Sequence, residues 1–176
     1  MHDLGRNEDR LRGTYEFPFE FHHIDSSHPR YVMSYHWHVE CEIMRVLQGT
    51  LTVTLDEKSF TAKAGDVIFV NSGVLHSGIP QDCIYQCIVF DMNMFLKFNS
   101  VCTEYMLIYH HFTEKQPDIQ RAVNSLFDSF WQKKPGYELV VFGQFYHFFG
   151  LVFGNHYYLE SLRKTRRDYK RIVQLK

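Results

Sequence analysis

YHWHVECE, residues 35–42, is the stretch from which the fold of this 176-residue chain can be predicted. His36 and His38 lie two residues apart, and Glu42 follows four residues after the second histidine. Because successive side chains of a strand alternate between its faces, all three groups point to the same side. Gly49 closes the unit seven residues after Glu42. The spacing predicts a β-structure in which two imidazoles and a carboxylate share one face.

A second unit follows the first along the chain. It begins at Gly65, continues through the apolar run 67–70 and ends with Gly73 and His76. If both units belong to one β-shell, three imidazoles and one carboxylate converge inside it. Neutral imidazoles with one carboxylate suit Fe, Mn, Ni or Zn. The candidate effector pocket and metal site consists of His36, His38, Glu42 and His76.

The same four residues have an alternative interpretation as a hydrogen-bonded polar cluster on the wall of the shell, without any metal. Four polar groups inside a small barrel are costly to remove from water unless each has a partner. A polyhydroxylated ligand or water molecules would supply those partners. We therefore predict an effector pocket that requires no cofactor, and a divalent metal ion is the alternative occupant.

Short apolar strands at even spacing occupy residues 14–91. Aromatic and polar residues alternate over 15–23, which is typical of a half-buried strand, and Pro18 places this strand at an edge of the sheet. Turn residues separate the other strands, which are predicted at 31–38, 43–47, 51–55, 59–63, 67–70, 75–79 and 84–90. This spacing indicates a sandwich or a barrel.

The hydrophobic period then changes from that of strands to that of helices. Apolar residues from Ile119 to Trp131 follow the i, i+3, i+4, i+7 pattern of an amphipathic helix. The next predicted helix, about 137–158, is apolar on nearly every side and needs cover on more than one face. One small barrel covers one face, and a partner subunit would cover the other. Close approach of two such helices would be allowed by three glycines on one stripe: Gly143, Gly150 and Gly154.

Charge is distributed unevenly along the chain, although the net charge is only −1. Residues 161–176 contain seven Lys or Arg and one Asp, whereas residues 1–160 contain 12 basic and 19 acidic residues. An acidic body argues against nucleic-acid binding by the barrel itself. The basic segment is predicted to be a helix that runs on without a stop signal, either solvated or in contact with DNA.

The composition also indicates the cellular compartment in which the protein is expected. The first 13 residues are polar and lack the apolar segment of a secretory signal. The most apolar run, 139–153, is too short for a membrane span and is interrupted by Gln144 and His147. The four cysteines include no CxxC pair, which favours reduced thiols over a zinc ribbon or a disulfide framework. We therefore expect a soluble, cytoplasmic protein that makes no membrane contact.

The two histidine-containing units resemble the paired motifs of cupins. The first has the pattern H-x-H-x3-E-x6-G, and the second has G-x5-(P)-x-G-x2-H with Asn71 in place of the usual proline. Arg30 and Pro80 are further departures, at positions where glycine and asparagine are common. The resemblance implies a mainly β fold with C-terminal helices: a cupin barrel (a double-stranded β-helix, or jelly-roll) plus two to three α-helices.

From about residue 14 onward the chain is similar to the N-terminal regulatory part of AraC-family (AraC/XylS-type) transcriptional regulators. The resemblance is carried by the phrases EI (42–43), VLQG (46–49), AGDVIFV (64–70), HSG (76–78) and YEL (137–139). In that family the barrel binds a small effector, often a sugar, and the helices after it form a homodimer. Two helix-turn-helix units then bind DNA, and this chain stops before they would begin.

The resemblance implies four segments and a regulatory function. The segments are a polar N-terminal arm (1–13), the cupin barrel (14–91), a helical dimerisation region (92–160) and a basic helix leading to an absent DNA-binding domain (161–176). The implied function is sensing of a sugar-like effector without catalysis. The alternative is a metal-dependent cupin enzyme, a dioxygenase or isomerase, that uses the three histidines and the glutamate as its metal ligands.

Several other polar residues are predicted to lie outside the site. Arg45 alternates with Met44 and Val46 and is expected on the surface. The pairs His22-His23 and His110-His111 are expected to face solvent, because no spacing connects them with a site.

Overall fold

The computed structural model describes residues 6–8, 12–96 and 106–160, which form ten strands and three helices. The strands are β1 Arg6–Asn7, β2 Phe19–Ile24, β3 Met33–Trp37, β4 Cys41–Leu55, β5 Lys58–Lys63, β6 Val67–Val70, β7 His76–Phe90, β8 Met106–Ile108, β9 His111–Phe112 and β10 Tyr158–Glu160. The helices are α1 Asn93–Leu96, α2 Pro117–Gln132 and α3 Tyr137–Gly154. The predicted basic helix at 161–176 lies outside the described residues and stays a prediction.

Two 15-residue strands, β4 and β7, organise the barrel. They pair with each other along most of their length, from Cys41 opposite Phe90 to Leu55 opposite His76. The first part of β4 also pairs with β6, and its second part pairs with β5. In the same way, β7 pairs with β3 near its start and with β2 near its end. Two half-sheets therefore share the same two strands, as in a jelly-roll barrel.

β4 passes from one half-sheet to the other at Gln48 and Gly49, where its pairing with β7 shifts register. Gly49 has φ +68°, and a Cβ atom there would clash with the backbone of Asp82 on β7. The prediction of separate strands at 43–47 and 51–55, and at 75–79 and 84–90, was wrong. A bulge that turns on a glycine bends the strand but lets the ladder continue.

We expect Gly49→Ala to lower the free energy of unfolding by about 2–4 kcal/mol, because the methyl group both strains φ and displaces the β7 backbone. Gly65 is a matched control, since its φ is +91° but the nearest atom to an added Cβ would be 3.8 Å away. Gly65→Ala should therefore cost only about 1–2 kcal/mol of strain. Urea denaturation of both variants measures the difference, and equal costs would contradict the close packing at the bend.

Apolar side chains form one cluster on each face of these strands. Met44, Val46 and Tyr85 belong to the inner cluster, which joins both half-sheets and fills the barrel. Ile43 and Phe90 face the opposite way, into a phenylalanine-rich cluster shared with the helices. Burial of each large apolar side chain contributes roughly 1.5–3 kcal/mol, so both clusters matter for stability.

α2 and α3 pack on the outside of the barrel. α2 has Pro117 in its first turn and ends where Lys133 adopts a left-handed conformation with φ 45°. Of the predicted apolar stripe of α2, Trp131 is 60% exposed and the other residues are buried: Ile119, Ala122, Val123, Leu126, Phe127 and Phe130. Helix α3 ends at Gly154 rather than at the predicted residue 158, because the chain turns at His156 and residues 158–160 pair with β8.

The predicted fold class, mainly β with C-terminal helices, is confirmed. Cys41, Cys83 and Cys87 are buried. Among the helices of the described ranges, none is long and apolar enough to cross a membrane.

Candidate ligand and metal site

The structure brings the four predicted site residues together on the inner wall of the barrel. His36 on β3 pairs directly with His76, the first residue of β7. His38 lies just beyond β3, and Glu42 lies near the start of β4. Ligand atoms of the three histidines all lie within 4.8 Å of one another. His38, Glu42 and His76 are at most 3% exposed, whereas His36 is partly exposed.

Backbone carbonyl groups fix which ring nitrogen carries the proton in the neutral form of all three rings. Nδ1 of His36 donates to Ser34 O (2.9 Å), Nδ1 of His38 to Glu40 O (3.0 Å) and Nδ1 of His76 to Val74 O (2.8 Å). A carbonyl oxygen only accepts, so Nδ1 carries the proton and, in the neutral ring, Nε2 has a free lone pair. Metal-binding histidines are held in the same way.

Glu42 is the negative counterpart of these rings. Its Oε2 lies 3.6 Å from Nε2 of His38 and 3.4 Å from Nε2 of His76. Although burial by itself raises the pKa of Glu42, its contacts with His38 and His76 hold that pKa well below its ordinary value. Burial by itself lowers the pKa of His76, but the contact with Glu42 outweighs burial and raises it. Burial, reinforced by neighbouring His76, lowers the pKa of His36.

Two of the ring nitrogens lie near the Glu42 carboxylate but make no hydrogen bond. Nε2 of His38 and Nε2 of His76 are buried and make no hydrogen bond of acceptable geometry. A buried polar atom without a partner costs about 1–3 kcal/mol. These two atoms, the nearby Glu42 carboxylate and the Nδ1 bonds fit the donor set of a divalent metal ion.

The cavity beside this cluster measures about 60 Å³. Its wall also contains residues that the sequence did not point to, notably Glu8, Arg12, Arg30, Tyr85 and Cys87. Burial raises the pKa of the Cys87 thiol well above its ordinary value, so this group stays neutral. Residues from the N-terminal arm, β3, β4 and β7 therefore enclose one shared space.

Arg12 of the N-terminal arm is buried at the edge of this cavity. Nη1 of Arg12 donates to Glu20 (2.6 Å) and Nη2 donates to Glu8 (2.8 Å). Arg30 donates to the other carboxylate oxygen of Glu8 (2.8 Å). Although burial by itself lowers the pKa of Arg12, the bonds to Glu20 and Glu8 raise it. Only the folded chain brings these charges together, so no local spacing in the sequence reveals them.

Three predictions about polar residues outside the site were wrong. His22 is half-buried and lines the cavity, with Nε2 3.1 Å from Glu20. His111 is half-buried, stacks on Phe60 and bonds to Asp66 (2.9 Å). Arg45 is 8% exposed, because α2 covers the outer face of β4. Strand periodicity identifies the face of a residue but not what packs on that face.

The fold and the site together define a class of protein: a cupin barrel with a histidine-lined internal pocket and helices packed on its outer face. The chain belongs to the family of AraC-like ligand binding domains, whose family model matches residues 18–149. The predicted resemblance is thereby confirmed. Over a stretch of 56 residues the chain is 34% identical to the uncharacterized HTH-type transcriptional regulator YdeC of Bacillus subtilis (strain 168). That stretch is 30% of this chain and 19% of the relative, so the chain spans about a fifth of the curated relative it matches.

Solved structures show partial similarity. Protein NMB1881 from Neisseria meningitidis is 18% identical, with a TM-score of 0.35, over 47% of this chain and 81% of its own. A structure of Bacillus subtilis oxalate decarboxylase from a study of its Mn(II) centres is 25% identical, with a TM-score of 0.31. The match covers 34% of this chain and 18% of the decarboxylase chain. Fe(II) HppE is 18% identical, with a TM-score of 0.31, and the match covers 33% of this chain and 34% of the HppE chain.

Proposed function

We propose that this chain is the effector-sensing and dimerisation domain of a transcriptional regulator. Family membership and the similarity to an HTH-type regulator support this proposal. In it, the barrel binds a small molecule without catalysing a reaction, and α3 contributes to a homodimer. DNA binding in such a regulator belongs to attached helix-turn-helix units, and the regulator acts in the cytoplasm.

One observation carries the proposal that the pocket binds a ligand. The buried Nε2 atoms of His38 and His76 make no hydrogen bond, and His38 lines a cavity together with His36 and Glu42. An inert barrel core would instead place apolar groups there or pair each polar atom within the protein. A ligand that accepts, donates or coordinates at these nitrogens would remove the cost of leaving them unpaired.

The size of the cavity bears on which ligand fits. An engineered cavity of about 150 Å³ holds a benzene molecule, whereas this cavity measures about 60 Å³. A metal ion with one or two waters fits that space without rearrangement. A sugar-like effector, the class predicted from the sequence, is larger than benzene and requires more space than this cavity offers.

A divalent cation is a candidate occupant of this pocket. The carboxylates of Glu8 and Glu42 and the guanidinium groups of Arg12 and Arg30 line the cavity. The Glu42 carboxylate lies beside the histidine nitrogens, where it would offset the charge of such an ion. His36, His38, His76 and Glu42 would hold that ion, which when bound supplies Lewis-acid chemistry to an oxygen ligand.

That donor set also favours a second candidate function, a metal-dependent dioxygenase or isomerase. Elemental analysis of protein purified without chelator tests the enzyme, which requires a resident metal, whereas the sensor requires none. The enzyme requires stoichiometric Fe, Mn, Ni or Zn in the wild type that disappears in His38→Ala. A folded protein free of these metals excludes it.

A thermal-shift screen tests the sensing function directly. Sugars, related metabolites and the divalent cations Mn²⁺, Ni²⁺ and Zn²⁺ are compared at several concentrations. A ligand that binds only the native state stabilises it in proportion to the logarithm of its concentration above Kd, by about 2.7 kcal/mol at a hundred times Kd. Stabilisation that is absent in Glu42→Gln supports the proposed pocket, and stabilisation that persists unchanged there refutes it.

The exposed face of α3 supports the dimerisation part of the proposal. Leu139 is 78% exposed and Tyr146 45% exposed, on a helix whose other face is buried against the barrel. Gly143 and Gly150 lie on the exposed face, with nothing within 4 Å of a Cβ atom built at either position. An exposed apolar stripe with small residues suits close packing against a second helix.

We expect Gly150→Leu to weaken the dimer at least tenfold, because the added side chain would hold two α3 helices apart. Arg121→Leu is the control, since it introduces the same side chain at an exposed position of α2 outside this face. Sedimentation equilibrium measures the dissociation constant of each variant. Unchanged dimerisation of Gly150→Leu would place the interface elsewhere, and a wild type that is monomeric at micromolar concentration would contradict the dimer.

A further inference from the structure

Arg45 bonds a central barrel strand to α2. Its Nε donates to Gln86 Oε1 (2.9 Å) on β7. Nη1 donates to Asn124 Oδ1 (3.1 Å) and Nη2 donates to Asp128 Oδ1 (2.9 Å), both on α2. The guanidinium carbon also lies 5.0 Å from the centre of the Phe127 ring. Every nitrogen of this buried guanidinium therefore has a partner, and the two α2 partners lie one helical turn apart.

The same strand carries a residue of the pocket three positions earlier. Glu42 and Arg45 are separated by an odd number of positions, so their side chains emerge on opposite faces of β4. Glu42 contacts His38 and His76 inside the barrel, and Arg45 contacts α2 outside it. Between them the strand pairs with β6 on one side and β7 on the other. A small rotation or shift of this segment at Glu42 therefore also displaces the guanidinium.

The contacts continue from α2 to α3. Nε2 of Gln144 on α3 donates to Ser125 Oγ on α2 (2.8 Å), next to Asn124. The two helices also share the phenylalanine-rich cluster. A change in the contacts between Arg45 and α2 would therefore also alter the packing of α3, whose outer face is exposed.

We propose that Arg45 is a positioning residue that couples occupancy of the pocket to the packing of α2 and α3. This inference rests on the proposed function, because it requires a pocket whose state changes. A ligand that binds at Glu42, His38 and His76 alters the placement of β4, and Arg45 passes the change to Asn124 and Asp128. Since coupling is reciprocal, the state of the helices alters the affinity of the pocket by the same factor.

Hydrogen exchange of the full 176-residue chain tests this coupling, with Co²⁺ as the pocket probe because its absorption spectrum reports binding independently. Amide exchange in α2 is followed with and without Co²⁺ in the wild type, Arg45→Met and Asp128→Asn. Asp128→Asn changes a side chain that is 54% exposed, so it keeps the test open if Arg45→Met does not fold. Glu114→Gln is the control, because it removes an exposed ion pair with Lys63 that does not involve β4.

In the wild type and in Glu114→Gln, we expect Co²⁺ to slow exchange in α2 by on the order of tenfold, the size of a typical coupling between sites. In Arg45→Met and Asp128→Asn, Co²⁺ should still bind, but the change in exchange should fall below about twofold. A full response in both variants would overturn the proposal. A wild type that binds Co²⁺ without any change in α2 would overturn it as well, and would leave the proposed pocket intact.

If the wild type does not bind Co²⁺, the metal interpretation of the pocket fails separately from the coupling. Glu42→Gln then serves as the perturbation of the pocket in place of the ion. It should alter α2 exchange in the wild-type background and leave it unaltered in the Arg45→Met and Asp128→Asn backgrounds. An unaltered α2 in the wild-type background, or an equal effect in all three backgrounds, would overturn the proposed role of Arg45.

Discussion

Replacing His76 with alanine is expected to weaken Zn²⁺ binding by about a hundredfold. His76 is completely buried, its Nδ1 is held by Val74 O, and its Nε2 lies 3.4 Å from Glu42. Four-ligand zinc sites bind with about 10–16 kcal/mol, so the loss of one ligand in four costs on the order of 3 kcal/mol, or about a hundredfold in affinity. Competition with a chromophoric chelator measures the two dissociation constants.

A histidine outside the pocket provides the control for this experiment. His156 is exposed, has φ 55° and contacts Tyr158 at the end of α3. His156→Asn keeps a residue that tolerates this conformation and should bind Zn²⁺ as the wild type does. If His76→Ala and His156→Asn bind Zn²⁺ with equal affinity, the cation does not bind at the histidine cluster.

Phe145→Ala is expected to lower the free energy of unfolding by about 3–5 kcal/mol, which is typical for a fully buried phenylalanine. The Phe145 ring is stacked on Phe19 of β2 with centroids 5.1 Å apart, and it lies 4.6 Å from the ring of Phe90 on β7. It also contacts the ring of Phe95 (5.1 Å) on α1. One side chain thus joins α3 to the barrel, and its removal leaves a cavity with walls from four elements.

Trp131→Ala on α2 is the control, because it removes an aromatic side chain that is mostly exposed. Trp131 is 60% exposed, although its ring contacts His23 at 5.0 Å. We expect its loss to cost only about 1 kcal/mol, because most of its surface is already in water. Urea denaturation compares the variants, and a cost for Phe145→Ala no larger than that for Trp131→Ala would contradict a shared core between α3 and the barrel.

The convergence of the four pocket residues could be predicted because it depends on local rules. Side-chain alternation gives His36 and His38 a common face, and the second unit places His76 on a later strand of the same shell. The parity argument alone treated Glu42 as part of the same strand, whereas β3 ends at Trp37 and β4 begins at Cys41. Glu42 still faces inward, because Met44 and Val46 on its face of β4 fill the barrel.

The charged wall of the pocket and the bond to α2 could not be predicted from the sequence. Arg12 contacts Glu20 eight residues away, and Arg45 contacts Asp128 across 83 residues. Pairings at such separations depend on how the arm and the helices dock, and no periodic pattern encodes that docking. The prediction that Arg45 points away from Met44 and Val46 was correct. The prediction that its side chain is exposed to solvent was wrong, because α2 covers the outer face of β4.

The strands, too, show the difference between what a local sequence pattern predicts and what distant pairing determines. A glycine between two apolar runs usually marks a turn, so Gly49 indicated two strands separated by a connection. The positive φ of Gly49 instead bends one continuous strand, which then belongs to both half-sheets. Only the pairing with β7 on either side of the bend distinguishes a bulge from a turn.

A regulator of the proposed kind acts by shifting an equilibrium, so its ligand must bind one state of the domain better than another. Sedimentation equilibrium of the chain, with and without the compound that stabilises it most in the thermal-shift screen, tests this central claim most directly. We predict a dimer at micromolar concentration whose dissociation constant changes at least fivefold on saturation, the lower end of typical coupling. A chain that is monomeric in both conditions, or a dissociation constant that saturation leaves unchanged, would contradict the account.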